Sequence, residues 1–389
     1  MASRQPIYLN PSAATERCDP VDTLGPRQLH QSLRGYGPTP LVNLPDLASD
    51  LGVRAVFLKD ESNRFGLPAF KILGAAWGCY RALASLYGLS ISSPTRSSLD
   101  ELASRAQQAG VILVAATEGN HGRAVAYMAN KVLGVRAIIF VPEHMHESTQ
   151  QLIAGEGPGT VAVQLVHGDY DAAVREAAEY AARTSTAVLI QDTSLPPDYV
   201  DVPGWIVEGY ATMMAEVEEQ LAALGLVADA VVVPVGVGSL AHAVARYCKS
   251  RDKPVLVVTV EPDTAACLWT SLRAGKHVTV STSETIMAGL NCGTASATAW
   301  PDLQRLVDVA VTVSCRQSHE AVGYLASPAS SPLLSRPAVA AGPCGAATVA
   351  ALWRLAKDPD AGKAVLGRDS VVVVLSTEGP REYSVPPKS

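Results

Sequence analysis

Lys71, within Pro68-Ala69-Phe70-Lys71-Ile72-Leu73-Gly74-Ala75, is the side chain whose setting most invites chemistry. It opens a run, Ile72 to Leu86, whose apolar residues recur at three- and four-residue intervals, the period of an amphipathic helix. A cation in the first turn of a helix is opposed by the macrodipole, which favours anions there. Dipole and dry surroundings both favour the neutral form of an amine, and neutral is what a Schiff-base lysine must become. A surface lysine at a helix start is the alternative that this stretch alone leaves open.

Four further segments carry polar residues where a strand gives way to a turn. Thr117-Glu118-Gly119-Asn120-His121-Gly122 follows the apolar run Val111 to Ala116: its glycines admit a ligand close to the backbone, and Asn120 can hydrogen-bond a ring substituent. An Asx-type turn from strand to helix would read the same way. Val235-Gly236-Val237-Gly238-Ser239-Leu240-Ala241 also leads from strand to helix, and its amides form a ready anion site, most often for phosphate. Gly236, Gly238 and Ala241 match the loose dinucleotide fingerprint too, with Glu261 about where a ribose-binding acid belongs. Asp192 closes the run Leu189-Ile190-Gln191 and can serve as a general base, as a partner for an ammonium, or as the start of a turn. Ser376 and Thr377 close the last apolar run, where a hydroxyl can face a pyridine nitrogen or cap a turn. His121, His144, His146, His167 and His242 lack metal-ligand spacing, are read as solvent or packing residues, and give no metal site.

These segments need elements to hold them. Val53 to Glu61 reads as a strand, and the Lys71 helix follows a glycine-containing loop. Ser90 to Asp100, rich in serine, reads as an exposed linker. Beyond it, strand patterns at Val111 to Ala116, Arg136 to Val141, Val161 to Val166 and Ala187 to Ile190 alternate with helical ones, Ala124 to Leu133 and Tyr170 to Arg183. Thr212 to Leu224 reads as helix, and Ala230 to Val235, Val255 to Val260 and Val371 to Leu375 as strands. Such alternation implies mostly parallel sheets with helices on both faces, in which ligands collect at the carboxyl ends of strands. Every polar or glycine-rich motif above falls at such an end.

A chain of 389 residues has room for two substantial cores. Its net charge of −6 gives no electrostatic case for nucleic acid or an acidic membrane surface, and no segment has the length of apolar run that spans a bilayer. Seven cysteines without C-x-x-C spacing point to reduced thiols and a cytoplasmic location, and Met1 to Ser12 lacks the pattern of a secretory signal.

Taken in order, Ala69-Phe70-Lys71, Thr117 to Gly122, Gln191-Asp192-Thr193, Gly236 to Leu240, Val260-Glu261-Pro262-Asp263, Ile286-Met287-Ala288-Gly289-Leu290 with Cys292-Gly293, and Ser376 to Gly379 resemble the diaminopropionate ammonia-lyases. These are a branch of the tryptophan synthase β-like, fold type II pyridoxal-phosphate enzymes. The resemblance runs from about Phe57 to Gly379. It implies an α/β protein of two three-layer α/β/α domains, a large discontinuous one from 1–88 and 197–389 that binds pyridoxal 5'-phosphate, a small one at 105–196, and a linker at 89–104.

The resemblance further implies that Lys71, preceded by Phe70, holds the cofactor covalently, that Asn120 faces its ring hydroxyl, and that Gly236, Val237, Gly238, Ser239 and Leu240 cradle its phosphate. Thr377, or else Ser376, would face the pyridine nitrogen, with Lys71, Glu118 and Asp192 as catalytic groups. A homodimer acting on a small amino acid is expected from the same source. Two departures stand out. Glu118 occupies a family aspartate position, and displacement of a reacting group on the order of 1 Å can cost about a hundredfold in rate. Ala341-Gly342-Pro343-Cys344-Gly345-Ala346 stands where the family has Ser-Gly-Glu-Ser-Gly-Ala, which bears on the substrate and places Cys344 near the cofactor. The expected reaction is an α,β-elimination converting 2,3-diaminopropionate to pyruvate and ammonia. Serine or threonine dehydration, or β-replacement, is the alternative on the same fold, and a nicotinamide-dependent oxidoreductase the alternative from another class.

Overall fold

The structure, a computed structural model, describes residues 6–13, 17–90, 94–193, 199–329 and 335–387. The chain divides into two compact units, one of Met1–Val21, Pro38–Asn63 and Met213–Ser389, the other of Asp22–Gly37 and Arg64–Thr212.

The first unit is built on seven strands: β1 (Ile7–Leu9), β2 (Leu41–Asn43), β3 (Ala55–Asp60), β8 (Ala230–Pro234), β9 (Leu256–Pro262), β10 (Val309–Val313) and β11 (Val371–Ser376). Their order across the sheet is β1-β10-β9-β8-β11-β3-β2, parallel throughout except for the two edge strands. Valine dominates β8, β10 and β11, and all three are buried along their whole length, as strands covered on both faces must be. Helix Pro343–Ala356 packs on one face, its Ala346, Ala347, Val349 and Ala350 sharing a core with Val56, Leu58, Val372 and Val374. Strand order reverses between β8 and β11, so the segments that leave these neighbours at their carboxyl ends flank a topological switch point. Those segments are the Gly236 loop and Ser376-Thr377.

Within this unit Lys59 and Glu216 form an ion pair of 2.8 Å with both side chains wholly buried. Lys59 Nζ also donates to the Thr39 carbonyl and to Gln220, and Thr39 donates its hydroxyl to Glu61 at 2.6 Å. The proline-rich entry segment is thereby anchored to β3 by charge as well as by the short pairing of β2.

The second unit carries four parallel strands, β4 (Ile112–Ala116), β5 (Arg136–Pro142), β6 (Val161–Val166) and β7 (Ala187–Leu189), in the order β6-β5-β4-β7. Helix Tyr170–Arg183 covers one face through Ala173, Val174 and Ala177. Here order reverses at β4, so the Thr117 to Gly122 turn and Gln191-Asp192, which follow β4 and its neighbour β7, emerge side by side.

Helix Lys71–Leu86 belongs to this second unit, so the expected grouping of residues 1–88 with the large domain does not match how the chain packs. The reason is a close crossing with helix Asp201–Gly209. A Cβ at Gly74 would lie 2.6 Å from the Tyr210 ring and 2.7 Å from Ile206 Cγ2, and one at Gly209 only 2.5 Å from the Leu73 carbonyl oxygen. The expected linker at 89–104 is likewise corrected, because a helix spans Arg96–Gln108. Thr95 and Ser98 form a reciprocal capping box, and Leu99, Leu102, Ala103 and Ala106 are its buried residues, so the serines that suggest a loop serve to start a helix. Residues 91–93 of that linker, and the expected domain edge between 196 and 197, lie outside the described residues.

Candidate active site

Lys71 is the first residue of its helix, behind Phe70, whose ring lies 4.9 Å from that of Tyr210. His30 fixes the same turn from below: its Nε2 donates to the Leu73 carbonyl at 2.9 Å while Nδ1 accepts from the Thr212 hydroxyl at 2.8 Å. The lysine side chain, 21% exposed, donates from Nζ to Asp192 Oδ2 at 2.5 Å. Asp192 is almost wholly buried. Burial, the largest single influence, pushes its carboxyl up, but the Lys71 charge, His121 and hydrogen bonds together outweigh it and hold it down at about 2.

Asp192 is placed by Gln191, whose side-chain Oε1 accepts from the Ala116 amide at 2.8 Å, tying the end of β7 to the end of β4. Tyr199 clamps the same turn, accepting from the Gln191 amide and donating to the Leu189 carbonyl. Across from it, Thr117 Oγ1 accepts from the amides of Gly119 and Gly122, which folds the turn tightly enough to start helix Asn120–Tyr127. Gly119 has φ of +141°, a conformation that favours glycine, and a Cβ at Gly122 would lie 2.4 Å from Thr117 Cγ2. Glu118 and Asn120 are thus carried on a rigid turn. Glu118 Oε1 lies 3.8 Å from His144 Nε2.

His121, read from sequence as a packing residue, sits inside this site. It is 4% exposed, its Nε2 contacts the Ile190 carbonyl at 2.8 Å, and its Nδ1 lies 3.9 Å from Asp192 Oδ2. Its position one residue after Asn120 was visible in the sequence; its proximity to Asp192, 71 positions further on, was not.

The first unit supplies the glycine loop. Gly238, with φ of +92°, precedes helix Ser239–Lys249, and Val237 accepts from the Ser296 amide at 2.7 Å. A side chain at Gly236 would collide with the Gly289 carbonyl oxygen at 2.7 Å, so the loop lies flat against the turn Ala288–Leu290. That makes the Met-Ala-Gly-Leu segment its backing. At the end of β11, Ser376 is fully buried and its Oγ has no hydrogen-bond partner among the described residues. Gly345 keeps room for that hydroxyl, since a Cβ there would lie 2.8 Å from it. Cys344 is buried beside it in the first turn of helix Pro343–Ala356, its thiol pushed up by burial. Its amide meets Glu378 Oε1 at 3.3 Å. A carboxylate therefore does stand at this helix start, reached from the strand side and not from the altered Ala341 to Ala346 stretch.

Glu261 has a different task from ribose binding. Both its oxygens accept from the amides of Leu268 and Trp269, at 2.8 and 2.7 Å, which commits it to starting helix Cys267–Ala274. Among the described residues no group of three or more His, Cys, Asp or Glu side chains is arranged to hold a metal, and no helix is long and apolar enough to cross a membrane.

The family model for pyridoxal-phosphate-dependent enzymes matches residues 33–377. Diaminopropionate ammonia-lyase of Escherichia coli (strain K12) is 34% identical over 360 residues, covering 91% of this chain and 87% of that protein. The chain belongs to the pyridoxal-phosphate-dependent enzymes, in the diaminopropionate ammonia-lyase family. The Salmonella typhimurium lyase is 33% identical over 90% of this chain. The crystal structure of the E. coli lyase in complex with an aminoacrylate-PLP azomethine reaction intermediate superposes with a TM-score of 0.82 at 30% identity, covering 96% of this chain and 93% of that one. The α/β architecture of mostly parallel sheets is thus that of fold type II, and the nicotinamide alternative falls with it.

The residues of a family member of this kind fit pyridoxal phosphate. Within the second unit an amine lies beside a buried carboxylate; within the first, a bend containing two glycines precedes a helix, and the buried Ser376 hydroxyl has no hydrogen-bond partner among the described residues.

Proposed function

We propose that this lyase eliminates ammonia from 2,3-diaminopropionate, giving pyruvate and a second ammonia. Membership of the ammonia-lyase family and the intermediate caught in the E. coli structure support elimination as the reaction. The single observation in this chain that carries the reading is the Lys71–Asp192 pair, an amine in a first helical turn held at 2.5 Å by a carboxylate that closes a parallel strand.

Pyridoxal phosphate, when bound, supplies an electron sink that makes the substrate's α-hydrogen acidic. In this reading Lys71 carries the cofactor, Asn120 meets its ring hydroxyl, and the amides from Gly236 to Leu240 take its phosphate with Phe70 and Cys344 in its surroundings. Thr377 or Ser376 meets the ring nitrogen; the unpartnered Ser376 hydroxyl supports the latter. Lys71 Nζ removes the α-proton from one enantiomer and a carboxylate, Glu118 or Asp192, removes it from the other. Both carboxylates also suit a substrate whose β-carbon bears an ammonium, because two anions in a poorly solvated site favour the cationic form of a bound amine. The larger domain of the pair is taken to be the cofactor-binding one, and the working form a cytoplasmic homodimer.

The changed Ala341 to Ala346 stretch favours a second reading, in which serine or another β-substituted amino acid replaces the diamino acid. An absorbance band of a protonated Schiff base in the purified protein, lost in Lys71→Ala, tests the cofactor assignment. Pyruvate release from both enantiomers of diaminopropionate, serine and threonine then separates the two substrates: turnover of serine without diaminopropionate overturns the first. Sedimentation of the loaded protein tests the dimer.

A further inference from the structure

His121 is a buried ionisable group beside Lys71 and Asp192 to which the proposed reaction gives no task. Its ring is fixed at one end, because the Ile190 carbonyl oxygen 2.8 Å from Nε2 can only accept, so Nε2 carries a hydrogen. In the neutral ring Nδ1 is then a bare lone pair. That atom is buried, has no hydrogen-bond partner among the described residues, and faces Asp192 Oδ2 at 3.9 Å. The same Oδ2 accepts from Lys71 Nζ at 2.5 Å. One carboxylate oxygen therefore lies between an ammonium and a ring nitrogen that is short of one proton.

A buried polar atom left without a partner costs free energy, and a lone pair aimed at a carboxylate adds repulsion to that cost. Protonating Nδ1 would turn the repulsion into the attraction of an ion pair across 3.9 Å. What prevents it in the resting state is burial first and then the nearby Lys71 charge, both of which push the imidazole down, while Asp192 pulls it up. The site accommodates one positive charge comfortably, on either side of Asp192.

We propose that His121 is the proton store of this site: when Lys71 gives up its ammonium proton, the proton is held on His121 Nδ1, ion-paired with Asp192. One N–H bond breaks at Lys71 Nζ, leaving the electron pair on that nitrogen, and one forms at His121 Nδ1. The charges of Lys71, Asp192 and His121 change from +1, −1, 0 to 0, −1, +1, so the buried carboxylate is never left uncompensated. No other reactant is needed. His121 acts through Asp192 and is a positioning residue for charge, not a group that meets the substrate. Its task rests on the reading of Lys71 as a lysine that must lose a proton, whereas the proton exchange itself is measurable without turnover.

The test is a histidine titration of the full-length, cofactor-free chain labelled with 15N in its imidazoles. In wild type His121 stays neutral, with hydrogen on Nε2, as pH falls through the ordinary histidine range. In Lys71→Met it gains a proton on Nδ1 at a pH higher by about one to three units, the shift that loss of a neighbouring like charge produces. In Asp192→Asn it moves the opposite way, which keeps the test decisive if either variant folds poorly. Superimposable His121 titrations in all three proteins overturn the proposal. In the loaded enzyme His121→Gln, which can still donate to Ile190, shifts the acid limb of kcat/KM to higher pH; an unchanged limb also counts as refutation. Absence of any ammonia release from amino acids would sink the lyase reading while leaving the titration result standing.

Discussion

Two alanine substitutions in one helix offer a sharp test of how the reactive amine is held. In helix Asp201–Gly209, a Cβ at Gly209 would lie 2.5 Å from the Leu73 carbonyl oxygen and 2.9 Å from Gly74 Cα. Both are backbone atoms of the helix that begins at Lys71, so no rotamer change relieves the clash. Ordinary contact starts near 3.4 Å, and the helices must part by about 0.9 Å to reach it. Overpacking of that kind costs about 1–3 kcal/mol. A shift on the order of 1 Å in a group that must meet substrate can lower the rate about a hundredfold. At Gly204, five positions earlier, a Cβ would meet nothing within 4 Å. Gly204→Ala should therefore stabilise by about 0.5–1 kcal/mol, the usual gain from alanine in a helix interior. Urea midpoints followed by circular dichroism, together with pyruvate release from diaminopropionate, read both consequences. If Gly209→Ala and Gly204→Ala shift the midpoint in the same direction, or if Gly209→Ala keeps the wild-type rate, close helix crossing is not what positions Lys71.

Asp192 sets an acid limit. Its folded carboxyl, at about 2, lies below the ordinary 3.8, so its contribution is complete above about pH 4 and disappears as pH falls toward 2. The difference corresponds to roughly 2 kcal/mol, and the gap in urea midpoint between wild type and Asp192→Asn should narrow over that window; parallel curves would dismiss the pairing. Lys59→Met strands Glu216 in the interior and should cost about 3–5 kcal/mol, with most of it regained in Lys59→Met/Glu216→Leu, as a double-mutant cycle of denaturation midpoints would show. Thr95→Ala removes the cap of helix Arg96–Gln108 and should lower stability by about 1 kcal/mol, with faster amide exchange confined to its first turn. Glu118→Gln removes the carboxylate at constant side-chain length and should slow one enantiomer of diaminopropionate by about a hundredfold or more while sparing the other; equal losses on both would remove Glu118 from the role of a stereospecific base.

The parts of this fold that announce themselves locally were legible in the sequence. β8, β9 and β11 are short valine-rich runs closed by a glycine loop, by Glu261-Pro262 and by hydroxyl residues in turn, and the run Tyr170–Arg183 has the apolar spacing of the helix it forms. The Thr117 to Gly122 turn and the Gly236 loop were placed at strand ends because parallel sheets put them there. Long-range matters were hidden. Serines at 97 and 98 look like loop residues until Thr95 is seen capping the helix through Ser98. Glu261 suits a ribose on spacing alone, and only the fold brings the amides of Leu268 and Trp269 onto its carboxylate. Helix Lys71–Leu86 reads as the continuation of the strand before it, yet its glycines fit a helix some 130 positions later, and no periodicity records that fit. His121 was lost for the same reason.

β11 is the last of the described strands and one of the innermost in its sheet, hydrogen-bonded to β8 on one side and to β3 on the other. While a ribosome is still making the polypeptide, β3 and β8 each wait with an open row of amides and carbonyls that nothing made so far can fill. The four-strand unit, whose strands all lie between residues 112 and 189, has every partner it needs long before that. Biogenesis is therefore two-paced, and the stretch most exposed to mispairing with other nascent chains is the one that waits longest for its centre.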